Sequence, residues 1–145
     1  GYWREPALTA ERMRDGWFRT GDLGVLSDEG ALEVLGRADN IIGVGHEKVA
    51  PEEVEAVIAA VAGVAEVAVG GVPDPLLDRV PVALLATTED PAEVVRRVEL
   101  ACREKLATAK HPRRFHIVEQ VPKTAYGKHD RKAIRALIER LRQEQ

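Results

Sequence analysis

Three short stretches of this chain carry residues whose types and spacing could do chemistry. Lys128 ends Pro122-Lys123-Thr124-Ala125-Tyr126-Gly127-Lys128, where Gly127 lets a loop bring an ammonium group close to another molecule without steric cost. On its own, a Gly-Lys pair in a loop is also what a solvated turn looks like. Asp22, in Thr20-Gly21-Asp22-Leu23-Gly24, offers the two acceptor oxygens of a carboxylate, although alone it reads first as a turn cap beside Gly21 and Gly24. Arg37 and Asp39, in Gly36-Arg37-Ala38-Asp39, supply a guanidinium fork and a second carboxylate, or a surface salt bridge worth at most about 1 kcal/mol.

Gly43-Val44-Gly45 resembles a phosphate-cradling loop only weakly. It lacks the third glycine of a dinucleotide fingerprint, and the chain has no Gly-Lys-Ser/Thr phosphate loop. The four histidines, His46, His111, His116 and His129, show no ligand spacing, and with one cysteine no metal site is expected.

The elements around these stretches follow from periodicity and punctuation. Pro51 suits a first helical position, Glu52 and Glu53 suit the positive end of a helix dipole, and Val54, Val57, Ile58 and Val61 share one face, so a helix is predicted from Pro51 with Gly63 closing it. Asp90-Pro91-Ala92-Glu93 reads as a cap, an N1 proline and a capping-box partner, followed by an inward stripe of Val94, Val98, Ala101, Cys102 and Leu106. A third helix is expected over Asp130 to Gln143 with Ile134, Leu137, Ile138 and Leu141 inward. A short one is expected over Pro6 to Arg14, ended by Gly16.

Strands are expected at Trp17 to Gly24, at Val25 to Ser27 paired with Ala31 to Leu35, and at Val64 to Val69, Val82 to Thr87 and Phe115 to Val118. A turn falls at Pro73-Asp74-Pro75, and Pro81 suits a strand start or an edge. Ile41 and Ile42 lead into a tight hairpin at Gly43 to Lys48. Strands and helices around a small sheet make an α+β layered fold. Four of the six aromatics, Tyr2, Trp3, Trp17 and Phe18, lie in the first eighteen residues, ahead of a core of Ala, Val and Leu, which argues for a boundary near Arg37 to Asp39.

With 145 residues, 45% hydrophobic and 31% charged, the chain has the composition of an ordinary soluble globular protein with room for a core. The net charge of −3 hides an uneven distribution: from Lys110 onward ten Lys/Arg face four Asp/Glu. A basic tail facing an anionic ligand and plain solvated helix faces both account for it. The tail lacks interleaved aromatics, so nucleic-acid binding is not expected. Cys102, the single cysteine, reads as a small core residue in a reducing compartment, the cytoplasm. The most apolar run, Val80 to Ala86, is far shorter than the roughly 20 residues that span a bilayer. Because the only methionine is Met13, the chain is expected to be an excised or truncated piece.

Taken together, Gly1-Tyr2-Trp3, the run Asp15 to Gly24, Gly36-Arg37-Ala38-Asp39, the Gly-rich turn before Pro51-Glu52-Glu53-Val54-Glu55, and Pro122 to Lys128 resemble the adenylate-forming enzymes: acyl-CoA and aryl-CoA synthetases, peptide-synthetase adenylation domains and luciferases. The likeness is greatest to an acyl-CoA synthetase and covers essentially the whole chain. It implies that residues 1–38 are the terminal segment of a large N-terminal, AMP-binding domain. Residues 39–145 would then be the small mobile C-terminal domain, a two-stranded hairpin and a roughly three-stranded sheet packed by helices. It also implies roles. Lys128, on the loop that Gly127 supports, would be the catalytic lysine of adenylation, bridging the substrate carboxylate and the α-phosphate. Asp22 would bind the ribose hydroxyls of ATP and Arg37 the ribose or phosphate. Asp39 would be the hinge. Gly43, Val44, Gly45, His46, Glu47 and Lys48 would form the hairpin that lines the pantetheine tunnel. Many relatives have two adjacent glycines in that turn, where this chain has Val44 before a single Gly45.

ATP with its Mg2+, a carboxylate substrate, and CoA or a carrier protein's phosphopantetheine are the implied ligands, and the large domain is the implied partner. The whole enzyme would form an acyl-adenylate and then a thioester, and the piece alone would be inactive. Two other readings stand beside it. One is a free-standing non-catalytic module that docks a carrier protein or complements a large domain in trans. The other is a portion of a luciferase-type oxygenase.

Overall fold

The structure, a computed structural model, describes residues 1–143. The chain divides into two compact units, Gly1–Asp39 and the part from Asn40 onward.

In the first unit, α1 (Pro6–Arg12) stops two residues short of the expected end. Met13–Arg14 (β1) instead turns back on Trp17–Phe18 (β2) in a minimal hairpin, with Met13 opposite Phe18. The strand expected from Trp17 to Gly24 is therefore broken at Arg19 to Gly21 and resumes as β3 (Asp22–Leu26), antiparallel to β4 (Leu32–Arg37). Ser27 closes the turn between them: its Oγ accepts from the Ala31 N–H at 3.0 Å. None of residues 1–39 is buried. Leu26, Leu32 and Val34 are each more than 60% exposed.

The second unit is built on one mixed sheet. β5 (Ile42–Val44) and β6 (Glu47–Val49) form the expected hairpin. It is not separate from the rest, because Val44 pairs with Asp78 and adds it to the sheet. β7 (Glu66–Asp74) and β8 (Asp78–Ala86) form a nine-residue antiparallel ladder, and β9 (Arg114–Ile117) runs parallel to β8. The strand order is β6-β5-β8-β7, with β9 on β8.

β7 runs through Gly70, Gly71 and Pro73, so the turn lies at residues 75–77, beyond the place expected for it. Pro81 sits within β8 and not at its start. It is tolerated there because its carbonyl accepts from the Arg113 N–H just ahead of β9, so the side on which its N–H is missing faces the end of that strand.

Both faces of the sheet are covered, which is why its central strands read as unbroken apolar runs. Alternate side chains separate into two cores. Val67, Val69, Ala83 and Leu85 meet α2 (Pro51–Ala59) and α3 (Pro91–Lys105). Ala68, Val72, Val82 and Leu84 meet α4 (Arg131–Gln143) through Ile134 and Ile138. α2 ends at Ala59 rather than at Gly63, and Val57 is only half-buried on it. Asp90 caps α3 by accepting from the Ala92 N–H, while Glu93 turns outward to Arg96 in place of a capping-box bond. Cys102 is buried in the first core. Among the described residues no helix is long and apolar enough to cross a membrane.

Candidate functional site

Asp22 and Arg37 are register partners at the open end of the β3–β4 ladder. Arg37 Nη1 donates to Asp22 Oδ1 at 2.9 Å and to the Thr20 carbonyl at 2.7 Å, while Thr20 Oγ1 accepts the Asp22 N–H at 3.0 Å. Asp39 Oδ2 lies 3.7 Å from the other Nη, so one guanidinium gathers both acidic residues. Arg12, Arg19, Asp22 and Asp39 line an open cleft of about 500 Å³ in this unit. A carboxylate oxygen has two lone pairs, so Asp22 keeps acceptor capacity for hydroxyl groups while Arg37 holds it in place.

In the second unit, Lys128 stands at the end of a three-residue hairpin loop, Ala125 to Gly127. The Thr124 N–H donates to the Lys128 carbonyl, the Gly127 N–H donates to the Thr124 carbonyl, and Lys123 bridges His129. Gly127 has φ +77°, the left-handed position such a loop requires. Lys128 is exposed, and among the described residues its ammonium takes part in no hydrogen bond or ion pair.

The hairpin tip is a two-residue turn at Gly45-His46 with Gly45 at φ +59°, the first-position glycine of a II′ turn. The Gly45 N–H donates to the Leu77 carbonyl at 2.7 Å, tying this tip to the β7–β8 turn. Gly43 lies within β5, not at the turn. Val44 points into the core at 5% exposure, so at a tunnel wall it could offer only its backbone. His46, Glu47 and Lys48 are exposed.

Sequence reasoning missed the residues that hold the lysine loop. Glu55 is 8% exposed and its Oε1 accepts the Val69 N–H at 2.7 Å. Arg131 forks onto Glu55 at 2.6 and 2.9 Å and reaches Glu52 at 3.0 Å. Burial works against the Arg131 charge, yet hydrogen bonds and charge from Glu55 and Glu52 raise its pKa. On the loop's other leg, Glu66 pairs with Lys123 and accepts from the Val121 N–H. Those contacts, Lys123 foremost, hold Glu66 below the usual carboxylate range. A carboxylate interrupting the apolar face of α2 was the only signal in the sequence, and its partner lies 76 residues away.

The loop and the hairpin are thus fastened to opposite ends of one strand. Glu66 begins β7, while Asp74 ends it opposite Asp78, where β5 joins. Eight strand steps separate them, roughly 27 Å at the usual rise. Among the described residues no group of three or more His, Cys, Asp or Glu is arranged to hold a metal ion.

Residues 53–128 match the family model described as AMP-binding enzyme C-terminal domain. The chain is 38% identical over 143 residues to a 2-succinylbenzoate–CoA ligase of Geobacillus kaustophilus, covering 99% of this chain and 29% of that protein. It is 38% identical over 127 residues to the long-chain-fatty-acid–CoA ligase FadD13 of Mycobacterium tuberculosis, covering 88% and 25%. The structure of the O-succinylbenzoate Coenzyme A synthetase of Bacillus subtilis in complex with AMP aligns with a TM-score of 0.83 at 34% identity, over 90% of this chain and 26% of that one. The chain therefore spans a little over a quarter of the length of these relatives.

Proposed function

Because this chain belongs to the AMP-binding enzyme C-terminal domain family, we propose that it is the C-terminal part of an AMP-forming acid–thiol ligase that works by two successive half-reactions. In the first, a carboxylate oxygen attacks the α-phosphorus of ATP and the bond to pyrophosphate breaks, leaving an acyl-adenylate. In the second, a thiol sulfur of CoA or of a carrier protein's phosphopantetheine attacks the acyl carbon and AMP departs.

Lys128 serves the first step. Its ammonium sets positive charge between the carboxylate and the α-phosphate, where negative charge accumulates. Asp22 accepts the ribose hydroxyls and Arg37 fixes that carboxylate and meets the nucleotide. Mg2+ enters with ATP. The Gly43 to Lys48 hairpin serves the second step, bordering the thiol's path with its backbone and with His46, Glu47 and Lys48. Residues 1–38 close a large domain that carries the remaining nucleotide contacts and the acid pocket, and Asp39 is the joint about which residues 39–145 turn in the cytoplasmic enzyme.

The observation that carries this reading is the fastening of the lysine loop and the hairpin at opposite ends of β7. A single active site can use both only if this unit is presented in two orientations. The test is to separate the steps in the full-length protein. Lys128→Ala should stop carboxylate-dependent pyrophosphate exchange and leave thioester formation from supplied acyl-adenylate, and a change at Gly45 should do the reverse. Equal loss of both steps in each variant would refute the division.

A further inference from the structure

Among the described residues the Lys128 ammonium takes part in no hydrogen bond or ion pair, so its position is set by the loop beneath it. That loop is only five residues between its closing pair, Lys123 and His129, and a two-stranded hairpin of this size is marginal in water. Its legs are fastened from outside. The leading leg is held by Glu66, through the Val121 N–H at 3.2 Å and the Lys123 ammonium. The trailing leg is held by Glu55, whose Oε2 lies 3.6 Å from His129 Nδ1 and takes one arm of the Arg131 fork.

Arg131 is the node of this arrangement. It joins α4 to Glu55 and Glu52 on α2, and the same Glu52 oxygen accepts from Asn40 Nδ2 at 3.1 Å, the first residue after Asp39. A buried ion pair is seldom the most stable filling for a core, since apolar residues of similar volume often do as well. A bidentate guanidinium–carboxylate pair instead selects one orientation, which a lysine cannot reproduce.

We infer that Arg131, through its fork on Glu55, is a positioning residue for Lys128, fixing the lysine loop to the body that begins at Asn40. The inference rests on the proposed role of Lys128. A misplacement of about 1 Å at a reacting group can cost on the order of a hundredfold in rate.

The test uses the full-length ligase containing this segment, with Arg131→Lys, Glu55→Gln and, on the more exposed leg, Glu66→Gln. For Arg131→Lys and Glu55→Gln, kcat for adenylate formation should fall roughly 10- to 100-fold while KM for ATP and acid stays within about threefold. Thioester formation from supplied acyl-adenylate should stay within about threefold of wild type. Glu66→Gln should lower adenylate formation several-fold. In the 145-residue chain, amide NMR signals of residues 124–128 should shift or broaden in Arg131→Lys, with those of residues 43–48 unmoved.

Equal losses in both half-reactions, or unchanged adenylate formation in folded variants, would overturn the inference. If Arg131→Lys fails to fold, Glu55→Gln, which removes charge from the other half of the fork, decides by the same comparison. Lys128→Ala separates the two levels. If it spares adenylate formation, the functional reading itself is wrong. If it abolishes adenylate formation while Arg131→Lys does not lower it, only the positioning role is.

Discussion

Asp22 and Arg37, fifteen residues apart in sequence, face each other across the β3–β4 ladder with 2.9 Å between Oδ1 and Nη1. The pair is about half exposed, so its worth to stability is at most about 1 kcal/mol, and its geometry matters more than its energy. Arg37→Lys keeps the charge and loses the planar guanidinium, whose Nη1 serves Asp22 and the Thr20 carbonyl while the other Nη faces Asp39. In the full-length protein KM for ATP should rise about tenfold, the worth of one charge-assisted hydrogen bond. The melting temperature should move by no more than a few degrees. An unchanged KM would remove Arg37 from the nucleotide site.

Lys128→Ala should lower adenylate formation by about two to three orders of magnitude, the range for removing one preorganised charge from a reacting centre. Because among the described residues the ammonium has no hydrogen bond or ion pair to lose, the melting temperature should match wild type. Pyrophosphate exchange with a thermal melt checks both, and a destabilised variant would mean that the lysine is structural.

Gly45→Val places a β-branched residue at φ +59°, which should cost about 1–2 kcal/mol and reshape the turn. Acyl transfer to the thiol should slow severalfold or more while adenylate formation stays within about twofold, read as separate half-reactions. A variant that slowed only adenylate formation would put the hairpin at the wrong step.

His116 is driven below 6.5 by its burial and then by the neighbouring Arg114 charge. The unfolded chain takes up this proton near 6.5, and the folded protein only at lower pH. The contribution of this site is therefore full above about 6.5 and is lost as pH falls through the folded value. His116→Leu should flatten the dependence of melting temperature on pH below that point. Parallel slopes for the two proteins would show that His116 does not govern it.

The helices were legible because Pro51, Pro91 and the apolar spacings of α3 and α4 act locally, and the strand expected at Val82 to Thr87 overlaps β8, which begins earlier, at Asp78. β7 was read short because glycine and proline ordinarily end strands. Here Gly70 makes room for Ile138 of α4, whose methyl a Cβ would meet at 2.7 Å, so packing between distant elements outweighs local preference. The stretches around Asp22, Lys128 and the hairpin could be picked out from residue types. The Asp22–Arg37 pairing depends on strand register, the inward turn of Val44 on which face of β5 meets the core, and the Glu55–Arg131 fork on elements 76 residues apart.

The absence of any buried residue in the first unit has an energetic consequence. A hairpin with its leucines in water gains little by holding one shape, and a lone two-stranded ribbon is at best marginal. The Asp22 carboxylate and its arginine are therefore borrowed geometry. If the pair holds the nucleotide as proposed, affinity for it should arrive together with an apolar surface that covers Leu26, Leu32 and Val34, and leave with it.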